Sequence, residues 1–374
     1  MRNIKSITIA ICLLLFIGCA PFRGLKPGNV EEGGWRNFRN STGEPGVATG
    51  EINLPLRLLW KFKTGGPIDA SPVVASGTVF IGSWDRKFHL VDARSGQGIG
   101  QYGFSSSITS TACVEGEMLY FGTEMEDNKL LAINLKDGKV IWEKKTNDLC
   151  SSPLVWNGKI FFGTSSGYVS VMNSLSGEVV WQFKTEGKIK SSPMICDSIL
   201  YIGSLDNWFY ALDVESGNLK WKYKSEAGIS SSAVAYDTLV YFGSIDGYLY
   251  ALNRNTGDLI WKFKTGAAVY SSPTTKDGFV YFGSNDYCMY ALNALSGELI
   301  WKFETGGLVH SSPLVIGDKI LFGSFDHNCY MLNRNSGELL WKYKTESMIS
   351  SSPAYYQGKI YIASQDNYLY CFGK

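Results

Sequence analysis

From about residue 54 onward the chain runs in short bursts of five or six residues in which apolar and polar positions alternate. Leu259-Ile260-Trp261-Lys262-Phe263-Lys264 and Val280-Tyr281-Phe282-Gly283-Ser284 are typical. They are rich in β-branched and aromatic residues, turn residues bound them, and neither carries a helical period, so each predicts a strand. The gaps between bursts are too short for crossover helices, which makes successive strands antiparallel neighbours.

The bursts recur in a fixed order. An aromatic WKFKT strand leads to SSP, then to an apolar run ending in GS, an Asp-bearing turn, a YAL strand and an N-x-x-SG turn. Leu259 to Glu298 shows one whole unit, and the period is about forty residues, that of a four-stranded propeller blade. The anchoring Trp recurs at Trp60, Trp142, Trp181, Trp221, Trp261, Trp301 and Trp341, and Gly100 stands in the remaining phase. SSP-like starts lie at Ser71, Ser110, Ser151, Ser191, Ser231, Ser271, Ser311 and Ser351. GS-like ends lie at Gly82, Gly122, Gly163, Gly203, Gly243, Gly283, Gly323 and Ala363. One unit cannot bury both its faces alone, so units stack. A ring protects most edges, which predicts an all-β, eight-bladed propeller of four-stranded blades. The first strand, around Trp60, is expected to complete the last blade outside Tyr368 to Phe372, so that no edge is left open.

Composition adds one exclusion. With 35 Lys and Arg against 34 Asp and Glu, intermixed along the chain, no basic face is available for nucleic acid. The recurring Lys of WKFKT reads as a solvated outer edge.

The first residues read as targeting. Arg2 and Lys5 precede an apolar run, Ile7 to Ile17, that is too short to span a bilayer. The run ends in Phe16-Ile17-Gly18-Cys19, which resembles a bacterial lipobox with Phe where Leu is usual. The expected organisation is a signal peptide over 1–18, a lipid anchor at Cys19 with a tether over 19–53, and the propeller over 54–374. The membrane would be reached through acyl chains, not a helix. Trp35, Phe38 and Arg39 interrupt the bland tether and are expected to pin it to the propeller surface.

Blade 1 is the least regular. Its outer strand lacks the Trp and holds strand-weakening glycines at Gly98, Gly100 and Gly103, so it is expected to be the softest outer strand. Blade 2 carries an acidic insertion, Glu124 to Asn128, expected to be a solvated loop.

Strand direction places the loop before SSP and the loop after GS on one face. There, one position differs in nearly every blade: Asp69, Thr109, Cys150, Lys190, Ser230, Tyr270, His310 and Ser350. An aliphatic residue always precedes it, so alternation buries the aliphatic and turns the variable side chain the other way. These residues should ring the mouth of a central channel. The GSxD turns add Trp84, Trp208, Tyr287, Phe325 and His327. The candidate binding mouth is therefore Asp69, Lys190, Tyr270, His310, Trp84, Trp208, Tyr287 and His327, and its aromatics suit a protein or peptide interface. Trp84 and Trp208 also leave a carbohydrate-binding surface open. The recurring turn Asp (Asp85, Asp206, Asp246, Asp286, Asp326, Asp366) reads as local backbone capping, not a metal ring, because each blade offers one carboxylate. The SSP hydroxyls read as partners for backbone groups at the strand start. Cys113, Cys150, Cys196, Cys288, Cys329 and Cys371 fit no zinc spacing and read as small buried hydrophobes. No nucleophile–His or carboxylate–His spacing makes His310, His327 and Lys190 a catalytic group.

The repeat GSxDxxxYALNxxSGxLxWKFKT resembles the pyrroloquinoline-quinone (PQQ) repeat, over Leu54 to Phe372. The resemblance implies a propeller and one of two functions. The quinoprotein dehydrogenase branch implies an oxidoreductase with PQQ and calcium. It carries a vicinal Cys-Cys disulfide, long inserted loops and in part a CxxCH motif, none of which stands in this chain. The BamB-like lipoprotein branch implies a cofactor-free scaffold on the periplasmic side of the outer membrane, bound to envelope proteins of the β-barrel assembly machinery. The expectation from the sequence is the second, with a PQQ-dependent oxidoreductase or degenerate PQQ binder as the rival.

Overall fold

The computed structural model describes residues 34–40, 44–123, 128–146 and 149–374. They form eight sheets whose four blade strands are antiparallel, in sequential order in seven of them, arranged as an eight-bladed propeller. Each blade runs from a short inner strand a to an outer strand d. In blade 1 these are Val73–Ala75, Thr78–Gly82, Lys87–Asp92 and Gly98–Gly103. In blade 8 strands a to c are Ala354–Tyr356, Lys359–Ala363 and Tyr368–Gly373, and strand d is Arg57–Lys63 from the other end of the ring. Arg57 pairs with Gly373 and Lys63 with Tyr368, so the ring closes as the repeat predicts.

The blades bury their faces against each other. Phe88 of blade 1 stacks on Phe121 of blade 2 at 4.3 Å, and Phe209 of blade 4 on Phe242 of blade 5 at 4.1 Å. The glycine ending strand b is required by this packing. A Cβ on Gly243 would lie 2.3 Å from Cγ1 of Val269, the aliphatic that leads into the next blade. All eight of these aliphatics are buried, as alternation demands.

Two further contacts join blade to blade. On the cavity face, the turn Asp reaches backwards. Asp286 accepts from Cys288 N and the Tyr290 hydroxyl within blade 6, and from Gly266 N at the end of the outer strand of blade 5. On the opposite face, the outer-strand Trp reaches forwards. Trp261 Nε1 donates to Ala294 O in the next blade at 3.1 Å, with the ring over Gly297, whose φ is +74°. The Asp series thus does what turn chemistry predicts and also ties neighbours together. Cys113, Cys329 and Cys371 are buried among strands, and burial pushes each thiol up to about 12.

The segment before the ring lies deeper than a surface tether. Trp35 and Arg39 are each only 3% exposed. Trp35 bridges to Val74 of blade 1, and Arg36 O accepts from Val114 N of blade 2. Arg39 reaches blade 6, and Val47–Ala48 pairs in parallel with inner strand Leu314–Ile316 of blade 7. Tyr355 of blade 8 donates to Glu51 O at 3.4 Å. The apolar body of Trp35 and the short β-pairing bring the segment across the inner strands and under the channel. Residues 1–33, with Cys19, and the acidic insertion at 124–127 lie outside the described residues.

Candidate functional site: the central cavity

Strand a begins at the channel axis, and its sequence fixes two layers there. The deeper layer comes from the second position of SSP, occupied by Ser71, Thr111, Ser152, Ser192, Ser232, Ser272, Ser312 and Ser352. In each blade the backbone N–H of this residue donates to the hydroxyl of its counterpart in the next blade. Ser71 N donates to Thr111 Oγ1 at 3.1 Å and Ser192 N to Ser232 Oγ at 2.8 Å, and so on around the ring. Ser352 N then donates to Ser71 Oγ at 2.9 Å and closes the circle. In five blades the first serine works within its own blade, as when Ser191 Oγ accepts from Gly203 N, whereas Ser271 Oγ donates to Ser311 O of the next blade. Repetition of SSP therefore serves structure, as expected of the hydroxyls. The belt across blades is the part that the sequence did not disclose.

Above the belt lies a cavity of about 190 Å³, lined by all eight variable positions. Its floor is Phe38, a residue the sequence places on the tether. The chemistry around the mouth is uneven. Asp69 is fully engaged, accepting from Trp84 Nε1 at 2.8 Å, Ser350 Oγ at 2.6 Å and Gln365 Nε2 at 2.7 Å. Among the described residues, Asp69 is the one carboxylate lining the cavity. Trp84 is thus held at its polar edge while 47% exposed. Two blades round the ring, His310 stands between Tyr270, at 4.9 Å, and Phe325, at 4.5 Å between ring centres. Burial pushes the imidazole down to about 4, so it is neutral at physiological pH, and its Nε2 is buried without a partner. Lys190 lines the cavity as an exposed cation.

The structure therefore brings together Asp69, Trp84, Lys190, Tyr270 and His310 with Ser350 and Phe325, which the sequence also sets around the mouth, and adds Gln365 and Phe38. Trp208, Tyr287 and His327 stand elsewhere. Trp208 lies under Lys222 of the outer strand, with Nζ 4.2 Å from the ring centre. The backbone oxygens of Tyr287 and His327 accept from Thr305 and Thr345, at the ends of outer strands. The phase within the turn decides this placement. Trp84, Phe325 and Gln365 follow the GS serine directly, Tyr287 and His327 come third, and Trp208 comes fourth. Among the described residues, no group of three or more His, Cys, Asp or Glu could hold a metal ion.

A ring of eight near-identical blades around a floored cavity defines a β-propeller of the PQQ-repeat class. The chain belongs to the family described as outer membrane protein assembly factor BamB, whose model matches residues 57–182, 151–244 and 210–374. It is 31% identical over 156 residues to the quinoprotein alcohol dehydrogenase PedH of Pseudomonas putida, covering 35% of this chain and 26% of that protein. It is 27% identical over 121 residues to BamB of Escherichia coli K12, covering 32% and 30%. The chain thus spans between a quarter and a third of the length of these curated relatives. The solved structure of BamB from Moraxella catarrhalis superposes with a TM-score of 0.74 over 86% of this chain and all of that one, at 20% identity, a likeness of fold.

Proposed function

We propose that this protein is a lipid-anchored, non-catalytic scaffold on the periplasmic side of the outer membrane, holding a subunit of the β-barrel assembly machinery over its cavity mouth. Residues 1–18 are its leader, Cys19 carries the lipid, and 19–53 link the lipid to the ring of 54–374. The observation that carries the reading is Trp84. A large aromatic stands half exposed, yet its indole N–H is fixed by Asp69. Such an anchor loses little freedom when a partner covers it. Family membership supports the identity of the partner.

The test is recovery of the protein from its native envelope, with co-purifying proteins read by mass spectrometry and small molecules by absorbance. Stoichiometric capture of an assembly-machinery subunit, lost in a Trp84→Ala, Lys190→Ala, Tyr270→Ala variant of unchanged thermal stability, is the expected result. Capture that survives the triple change would remove the mouth from the interface.

A second reading, a PQQ-dependent oxidoreductase or degenerate PQQ binder, is favoured by the likeness to PedH. The cavity residues do not fit PQQ with calcium. Among the described residues its one carboxylate, Asp69, is already spent on Trp84, Ser350 and Gln365, and no group of three or more His, Cys, Asp or Glu could hold a metal ion. A quinone recovered in the same purification would reverse this preference.

A further inference from the structure

Beneath the hydroxyl belt, the floor holds a cation whose charge nothing in the described chain cancels. The Arg39 guanidinium is buried. Its Nη2 donates to Pro45 O at 3.2 Å, to Thr274 Oγ1 at 2.8 Å and to Pro273 O. All three acceptors are neutral. Its Nε is buried and has no partner. The carboxylate nearest in sequence, Glu44, turns outward to Lys276 at 2.8 Å. Burial pushes the guanidinium down to about 9, which leaves it charged at neutral pH. A buried charge without a counter-charge is strongly unfavourable.

Next to this side chain is a void of about 10 Å³, bounded by Phe38, Arg39, Pro45, Met194, Ser192 and Ser232. It has room for one small occupant. Ser192 and Ser232 each accept one belt N–H, and each hydroxyl proton remains to be donated. The surroundings thus combine a full positive charge with hydroxyl donors.

We propose that the floor binds one monatomic monovalent anion, a halide such as chloride, against Arg39, and that this ion locks residues 34–52 beneath the channel. A water molecule would fill the same space but would leave the charge uncancelled.

The experiment is thermal unfolding of the full-length protein in sodium salts at fixed ionic strength, with gluconate replaced stepwise by chloride or bromide. The midpoint is expected to climb with the logarithm of halide concentration, as one-site linkage requires. Arg39→Met is expected to lose that response. Wild-type crystals grown in bromide should show one anomalous peak in contact with Arg39 Nε, a readout that stands even if the variant does not fold. Equal halide responses in wild type and Arg39→Met, or water density without anomalous signal at that place, would overturn the proposal.

Discussion

Two junctions in the ring share a backbone plan and differ in what fastens them. Between blades 5 and 6, Trp261 covers Gly297 and donates to Ala294 O, while Asp286 reaches back to Gly266 N. Between blades 1 and 2, Gly100 occupies the Trp position, opposite Leu90. Tyr102, two residues on, sends its hydroxyl to Gly138 O at 2.7 Å. What the two junctions keep in common is the hydroxyl belt and the packing of aliphatic on glycine. The belt beneath the mouth is thus shared by both junctions, and they differ in their outer fasteners.

The comparison can be broken most directly by removing each fastener. Trp261→Ala should cost about 3 kcal/mol, because a large ring and a hydrogen bond are lost together. Tyr102→Phe should cost about 1 kcal/mol, one hydrogen bond. Urea midpoints measure both, and equal shifts would mean the junctions are equivalent. A smaller difference should appear without mutation. Amides of Gly98–Gly103 should exchange roughly tenfold faster than those of Leu259–Lys264, a gap of ~1.4 kcal/mol. Equal protection would show that glycine and the missing Trp do not soften that edge.

The smallest effect concerns acid. Burial works to raise the Asp326 carboxyl, but hydrogen bonds from Tyr330, Gly306 N–H and Asn328 outweigh it and hold the group below the usual range. A depressed carboxyl gives its stability above an unfolded value of about 4, and that stability is lost as pH falls through the native value. Protection of the Gly306 amide, corrected for intrinsic exchange, should therefore fall on acidification. Asp326→Asn should remove the dependence at a cost below ~1 kcal/mol, the carboxylate being partly in water.

The number of blades and the strand order could be read in the sequence because each rests on a signal repeated around the ring, and the closure by Trp60 because that strand is out of phase with the blade that follows it. The variable ring could be read for the same reason, as the place where repetition fails. Radial position was harder. Trp84 and Trp208 share a turn in sequence, and only their offset from Ser83 and Ser204 separates a mouth residue from one tucked under an outer lysine. The hydroxyl belt was hidden because its partners lie one period apart, and a pattern shows that serines recur but not to which neighbour each is bonded. Phe38 and Arg39 were visible as anomalies in a bland segment, yet no period fixed where they would go.

The pairing of Arg57–Lys63 with Tyr368–Gly373 also has a meaning in time. A ribosome makes the outer strand of blade 8 before any other strand of the ring and its partner after all of them. Throughout synthesis the two halves of that sheet cannot meet, and seven blades can stack without the circle being shut. The chain therefore stays openable until its last strand is free, and it becomes a closed object in a single late event.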